Sequence, residues 1–247
     1  MTDFNLPSGV TISKPSQVAH PELFILYGRA GGGKTYLGAS ASELPHVKKM
    51  LIIDTEGSAS GTLTDFSDEK VDIVRVKTYK EFAETMNAVF DADDAGTLPY
   101  DVVQIDTFDV AQDMAIKHFH EKSPGDTRAA WGLVKEWSDT VARGMKNLKA
   151  LGILVVHERE EKAVSGGILA RLRLSGSARD TLPGIADVVA YVTRELNEDG
   201  EEVTIAQFAS QDGLVTKNRF RFPPAVEDPS IPALFKYIDD RKKGGKR

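Results

Sequence analysis

Four short runs along the chain are apolar almost throughout: residues 23–27 (LFILY), 50–54 (MLIID), 101–106 (DVVQID) and 153–157 (ILVVH). Continuous apolar runs of this length read as strands buried on both faces, the mark of a parallel sheet. Residues 71–76 (VDIVRV) alternate instead and predict a strand with one wet face. Between these runs the period changes. Helical spacing predicts helices starting at 36–41 and running over 79–90, about 110–120 and about 129–150, with a turn at 123–126 (SPGD). Residues 188–196 and 202–209 flank Asn197, Glu198, Asp199 and Gly200, which is a hairpin signal. A last strand is expected within 214–222 and a short helix within 232–242. Residues 158–179 show little apolar periodicity, carry Gly166, Gly167 and Gly176, and read as a mobile loop or loose hairpin. Strands alternating with helices predict a largely parallel sheet with an antiparallel extension at one edge. The chain divides into an extended arm (1–21, broken by Pro7, Pro15 and Pro21), a core (22–222) and a tail with a short helix (223–247).

The turn after the first strand carries the chemistry. Gly28, Arg29, Ala30, Gly31, Gly32, Gly33, Lys34 and Thr35 satisfy G-x-x-x-x-G-K-[ST], with a strand before and a helix from Tyr36 after. Glycines let backbone N–H groups converge on phosphate oxygens at a helix start. Residues 28–36 are therefore the predicted nucleotide-binding segment, Lys34 the neutralising cation and Thr35 a Mg²⁺ ligand. Asp106 ends the VVQID strand and is the second candidate magnesium ligand. ATP hydrolysis needs a group to activate water, and Thr107 rather than a glutamate follows Asp106. Glu56, after the second strand, is the candidate base; His157, at the end of another strand, is a candidate contact to the terminal phosphate.

Composition narrows the remaining classes. With no cysteine among 247 residues there is no disulfide, thiolate metal site or cysteine nucleophile. The polar start has no signal-peptide run and no segment spans a bilayer, so a cytoplasmic location and no membrane partner are expected. A net charge of −6 argues against coating nucleic acid by bulk charge but leaves room for a local basic surface. Arg159, Lys162, Arg171, Arg173 and Arg179 crowd the glycine-bearing loop and are the candidate contacts to a single-strand backbone.

The order of these pieces resembles the RecA-like recombinase core: a P-loop, IIDTE, VVQIDT, LVVHE, a glycine-bearing loop, a hairpin, then Lys217, Asn218 and Arg219. The small size and the LVVHE ending look most like phage-encoded RecA-like ATPases associated with single-strand annealing. The resemblance implies an α/β RecA-like P-loop NTPase core, with ATP and Mg²⁺ as cofactors. It gives Glu56 the water-activating role and His157 the phosphate-sensing role, and it makes Lys217 and Arg219 groups that reach a neighbouring subunit's nucleotide. Single-stranded DNA, a filament or ring of copies, and a single-strand-binding protein are the implied partners, in the cytoplasm of a host cell if phage-encoded. His157 and Glu158 stand where recombinases commonly carry Asn-Gln. A small-molecule kinase with a basic lid, and a non-hydrolysing nucleotide switch or loader, are the alternatives the residues leave open.

Overall fold

The structure is a computed structural model that describes residues 20–162, 168–210 and 213–244. The arm through residue 19, and Gly166 and Gly167, lie outside the described residues. The elements run β1 (Leu23–Gly28), α1 (Lys34–Ala39), a 3-10 turn (Ser40–Glu43), β2 (Met50–Asp54), α2 (Ala59–Thr62), β3 (Val71–Arg75), α3 (Tyr79–Asp94) and β4 (Val102–Asp106). There follow α4 (Phe108–Lys122), α5 (Thr127–Asn147), β5 (Leu151–Lys162), β6 (Ile168–Leu172), α6 (Ala178–Ile185), β7 (Val188–Leu196), β8 (Glu202–Gln207), β9 (Lys217–Asn218), β10 (Ala225–Glu227) and α7 (Ile231–Gly244).

The main sheet has the order β10-β8-β7-β1-β5-β4-β2-β3. From β7 to β3 every pairing is parallel, while β8 and β10 extend it antiparallel. The fully apolar runs became the central strands: β1, β2 and β4 are buried at every position. The alternating run became the edge strand β3, whose last three residues are exposed. Successive side chains of β1 feed opposite layers. Leu23, Ile25 and Tyr27 pack with Phe82, Met86, Phe108, Val141 and Met145 from α3, α4 and α5. Phe24 and Leu26 pack with Leu37, Ile231, Leu234 and Phe235 from α1 and α7. Two helix starts, those of α3 and α5, are capped by side chains. Thr78 accepts from Glu81 N at 3.2 Å, and Asp126 accepts from Ala129 N at 2.9 Å.

Three regions depart in part from expectation. The basic segment takes the hairpin alternative and not the loop: β5 continues past the sheet through Lys162 and pairs antiparallel with β6, Arg159 opposite Arg171. The helix α6 follows; its short length and internal Pro183 hide it from periodicity. The expected strand within 214–222 shrinks to Lys217–Asn218, because the chain turns back on itself. Asn218 exchanges two side-chain hydrogen bonds with the Phe222 backbone, and Arg221 sits at φ 58°. The stretch expected as a tail with a short helix has its helix, α7, but residues 223–244 also contribute β10 to the sheet and bury Ile231, Leu234, Phe235 and Ile238 of α7 in the core.

Because α7 is core rather than appendage, Leu234→Ala is expected to lower stability by about 2–5 kcal/mol in urea unfolding. A change of a few tenths, as on a free tail, would contradict this packing.

Candidate active site

The P-loop leaves β1 at Gly28 and enters α1 at Lys34. Its approach to the neighbouring strands permits no side chain at two positions. A Cβ on Gly28 would lie 2.0 Å from the Val192 carbonyl oxygen of β7, and one on Gly32 would lie 2.9 Å from the same atom. Lys34 is buried and folds back, donating to the carbonyls of Gly28 (2.9 Å) and Arg29 (2.6 Å). Burial lowers its pKa, although Asp106, Asp109, Glu56 and Glu158 all favour its charge. The loop opens on a cleft of about 640 Å³, ample for a nucleotide, lined by residues 30–36, Glu56, Asp106, Thr107, His157 and Arg194 among others.

Parallel register brings the strand ends to this cleft: Gly28 lies beside His157, and Asp54 beside Asp106. Asp106 is hydrogen-bonded to Thr35 and receives a hydrogen bond from Gln104 Nε2 at 3.2 Å. Burial pushes its carboxyl up to about 6, against the pull of those hydrogen bonds. The Thr35 hydroxyl and the Asp106 carboxylate thus form an adjacent pair of hard oxygen donors, suited to Mg²⁺ that takes its other ligands from phosphate and water. Among the described residues no group of three or more His, Cys, Asp or Glu could hold a metal ion without such help.

Glu56 is held from two sides. The buried Asp54 carboxylate accepts the N–H groups of Glu56 (3.0 Å), Gly57 (2.6 Å) and Ala59 (3.3 Å), which fixes the loop after β2. Thr55 Oγ1 donates to the Thr107 carbonyl and accepts from the Thr107 N–H, each at 2.9 Å. Thr107 Oγ1 in turn donates to Glu56 Oε1 at 3.3 Å. His157 Nδ1 stands 3.5 Å from the same Glu56 oxygen.

Sequence reasoning missed the group that anchors His157. Asp109, in the first turn of α4, has no side-chain exposure. It accepts from the His157 backbone N–H (3.0 Å), pairs with His157 Nδ1 (3.1 Å) and accepts from Arg173 Nη1 (2.6 Å). Burial opposes its charge, but the bonds from His157 and Arg173 outweigh burial and hold its pKa below the ordinary value. The hydrogen bond to Asp109 raises the His157 pKa in return, against burial. An acidic residue three positions after Asp106 is visible in the sequence; its partners, 48 and 64 residues away, are not.

The other candidates fall in two groups. Arg173, half-exposed, spans Asp109 and Asp113. Arg159 and Arg179 both pair with Glu161, Arg171 Nη1 donates to the Gly213 carbonyl at 3.2 Å, and Lys162 is exposed at the end of β5. Arg29 of the P-loop reaches this hairpin through Glu158 and Glu160. Lys217 and Arg219 lie elsewhere. Residue 217 pairs with Val189 near the start of β7, at the edge of the sheet away from the P-loop. Lys217 donates to the carbonyls of Pro183 and Gly184, and Arg219 pairs with Asp187 at 3.0 Å. They do not join Glu56 and His157 within one chain.

Two titrations follow. Asp106 holds its proton more tightly folded than unfolded, so its contribution to stability is present below pH 4 and lost as pH rises to about 6. Relative to Asp106→Asn, the protein should lose about 3 kcal/mol of unfolding free energy between those limits. Urea unfolding of both proteins measures it, and parallel curves would contradict the raised value. Asp109→Asn should lower the His157 titration midpoint, because burial then acts without its strongest opponent. Proton NMR of the imidazole reads this directly, and an unmoved midpoint would remove Asp109 as its cause.

Comparison with known proteins agrees with this geometry. A model of the AAA domain family matches residues 21–220. No curated protein matches the chain. Among solved structures, the fold is similar to an ATPase from the type III secretion system of pathogenic bacteria, with a TM-score of 0.55 at 13% identity. That likeness covers 90% of this chain but only 63% of the secretion ATPase, and it is a likeness of fold. With four-fifths of its length inside one family model and the P-loop, Asp106 and Glu56 gathered at one sheet edge, the chain belongs to the AAA domain family, as a P-loop ATPase domain of RecA-like fold.

Proposed function

We propose that this domain is a magnesium-dependent ATPase stimulated by single-stranded DNA, acting in recombination by annealing or strand exchange. The observation that carries the reading is β5. This one strand holds His157 at the cleft and then runs on, unbroken, into a hairpin where Arg159, Lys162 and, on β6, Arg171 stand among Glu158, Glu160 and Glu161. The Arg173 N–H donates to the His157 carbonyl at 2.8 Å, which ties the return to the same point. A change at His157 is therefore a change at the root of the hairpin.

Each residue then has a task. Lys34 leaves the carbonyls of Gly28 and Arg29 for the phosphates, joined by the P-loop N–H groups. Thr35 and Asp106 would hold magnesium, which would supply charge neutralisation at the phosphates. Glu56 takes a proton from the attacking water while Thr107 and His157 keep it oriented. Loss of the terminal phosphate alters the charge facing His157, and β5 passes this to the hairpin. Lys217 and Arg219, at the far edge, serve a neighbour's nucleotide in a head-to-tail filament or ring.

Steady-state ATP turnover with and without single-stranded DNA tests this. Stimulation is expected, with Glu56→Gln reducing turnover about 100-fold or more. Arg171→Ala should weaken DNA binding and flatten its salt dependence without lowering DNA-free turnover. Hydrolysis indifferent to DNA would overturn the reading.

A further inference from the structure

The hairpin of β7 and β8 forms one wall of the P-loop. The Val192 carbonyl crowds Gly28 and Gly32, and a Cβ on Gly33 would lie 3.0 Å from Thr204 of β8. Arg194 stands two residues beyond Val192 and opposite Thr204 in the β7–β8 pairing. Its side chain lines the nucleotide cleft.

The charges around that cleft come close to cancelling before any nucleotide enters. Its lining includes three carboxylates, Glu56, Asp65 and Asp106, against Lys34, Arg194 and His157. Lys34 is the more buried cation, and burial works against its charge. A polyphosphate brings several further negative charges, and magnesium offsets only part of them. Arg194 is free to supply more. Its ion pair with Glu202, at 3.1 Å, joins side chains that are 48% and 61% exposed. Pairs this exposed contribute little, so little holds the guanidinium against a better anion. A guanidinium also meets phosphate oxygens with two parallel N–H bonds, a geometry lysine cannot copy.

We infer that Arg194 binds the polyphosphate of the nucleotide held by its own chain, exchanging the Glu202 carboxylate for phosphate oxygens when the nucleotide enters. Position separates it from the far-edge pair. Asn218 is opposite Val188, and Arg194 lies six residues further along β7, roughly 20 Å toward the P-loop. Arg194 therefore acts in cis, whereas Lys217 and Arg219 reach only a neighbour's site. This inference rests on the nucleotide site alone and not on the DNA reading.

Calorimetric binding of Mg-ATP, without DNA, is the test. Arg194→Ala should weaken binding about ten-fold or more, with Arg194→Lys in between. Glu202→Gln frees the guanidinium and should leave affinity unchanged or tighter. Equal loss in Glu202→Gln and Arg194→Ala would make the pair a brace for the hairpin and overturn the assignment, as would unchanged affinity in Arg194→Ala. The cis placement is tested by mixing Arg194→Ala with Lys34→Ala, a chain whose own site is disabled but whose Arg194 is intact. Turnover no greater than that of Arg194→Ala alone is expected. Rescue in the mixture would show Arg194 serving a neighbour and overturn the cis placement.

Discussion

The Asp109 carboxylate has no contact with solvent, so its charge must be met by protein groups or be given up. It is met three times, from the backbone and ring of His157 and from the guanidinium of Arg173. Each donor belongs to a different structural statement. The start of α4 is fixed to the middle of β5, the ring of His157 is fixed beside Glu56, and the chain leaving β6 is drawn back to the cleft. A buried anion with one donor removed is costly, so these three attachments stand or fall together. That constraint ties the rim of the cleft and the β5–β6 hairpin together.

The same edge shows how parallel topology gathers chemistry. Residues 28, 54, 106 and 157 are far apart in sequence but neighbours across β1, β5, β4 and β2. β1 and β2 are apolar up to their last residue, β4 likewise but for Gln104, and β5 up to Val156; polar groups then emerge at one rim. Ligands bind outside the carboxyl ends of such strands because that is where polar side chains and helix starts meet. The wall on the other side comes from antiparallel strands, with Val192 and Thr204 set against P-loop glycines that have no Cβ to obstruct them.

Much of this was legible beforehand, for identifiable reasons. A strand buried on both faces must be apolar throughout, so β1, β2, β4 and β5 announce themselves, and the P-loop string is specific enough to stand alone. Glu56 and Asp106 follow as strand-end acids. Asp109 was not legible, since an acid in a first helical turn is ordinary and its partners are remote. Arg173 looked like one more free cation of a basic loop, when half of its hydrogen bonding is spent inside the site. Lys217 and Arg219 have visible strand spacing, but only the sheet order shows which rim they occupy. Ile231, Leu234, Phe235 and Ile238 spell a helical face, yet no pattern says which surface that face covers.

The docking of α7 has a consequence for synthesis. Phe235 lies against Phe24 of β1, and the Ile231 N–H donates at 2.8 Å to Oγ of Ser40, the residue that ends the P-loop helix. The strand and helix that frame the phosphate cradle, near the start of the chain, thus receive their covering layer from residues more than 190 positions later. A nascent chain still attached to the ribosome has the P-loop string long before it has the packing that shapes it. The segment that carries the phosphate-binding string and the layer that backs it are thus separate stretches of chain, joined only by folding.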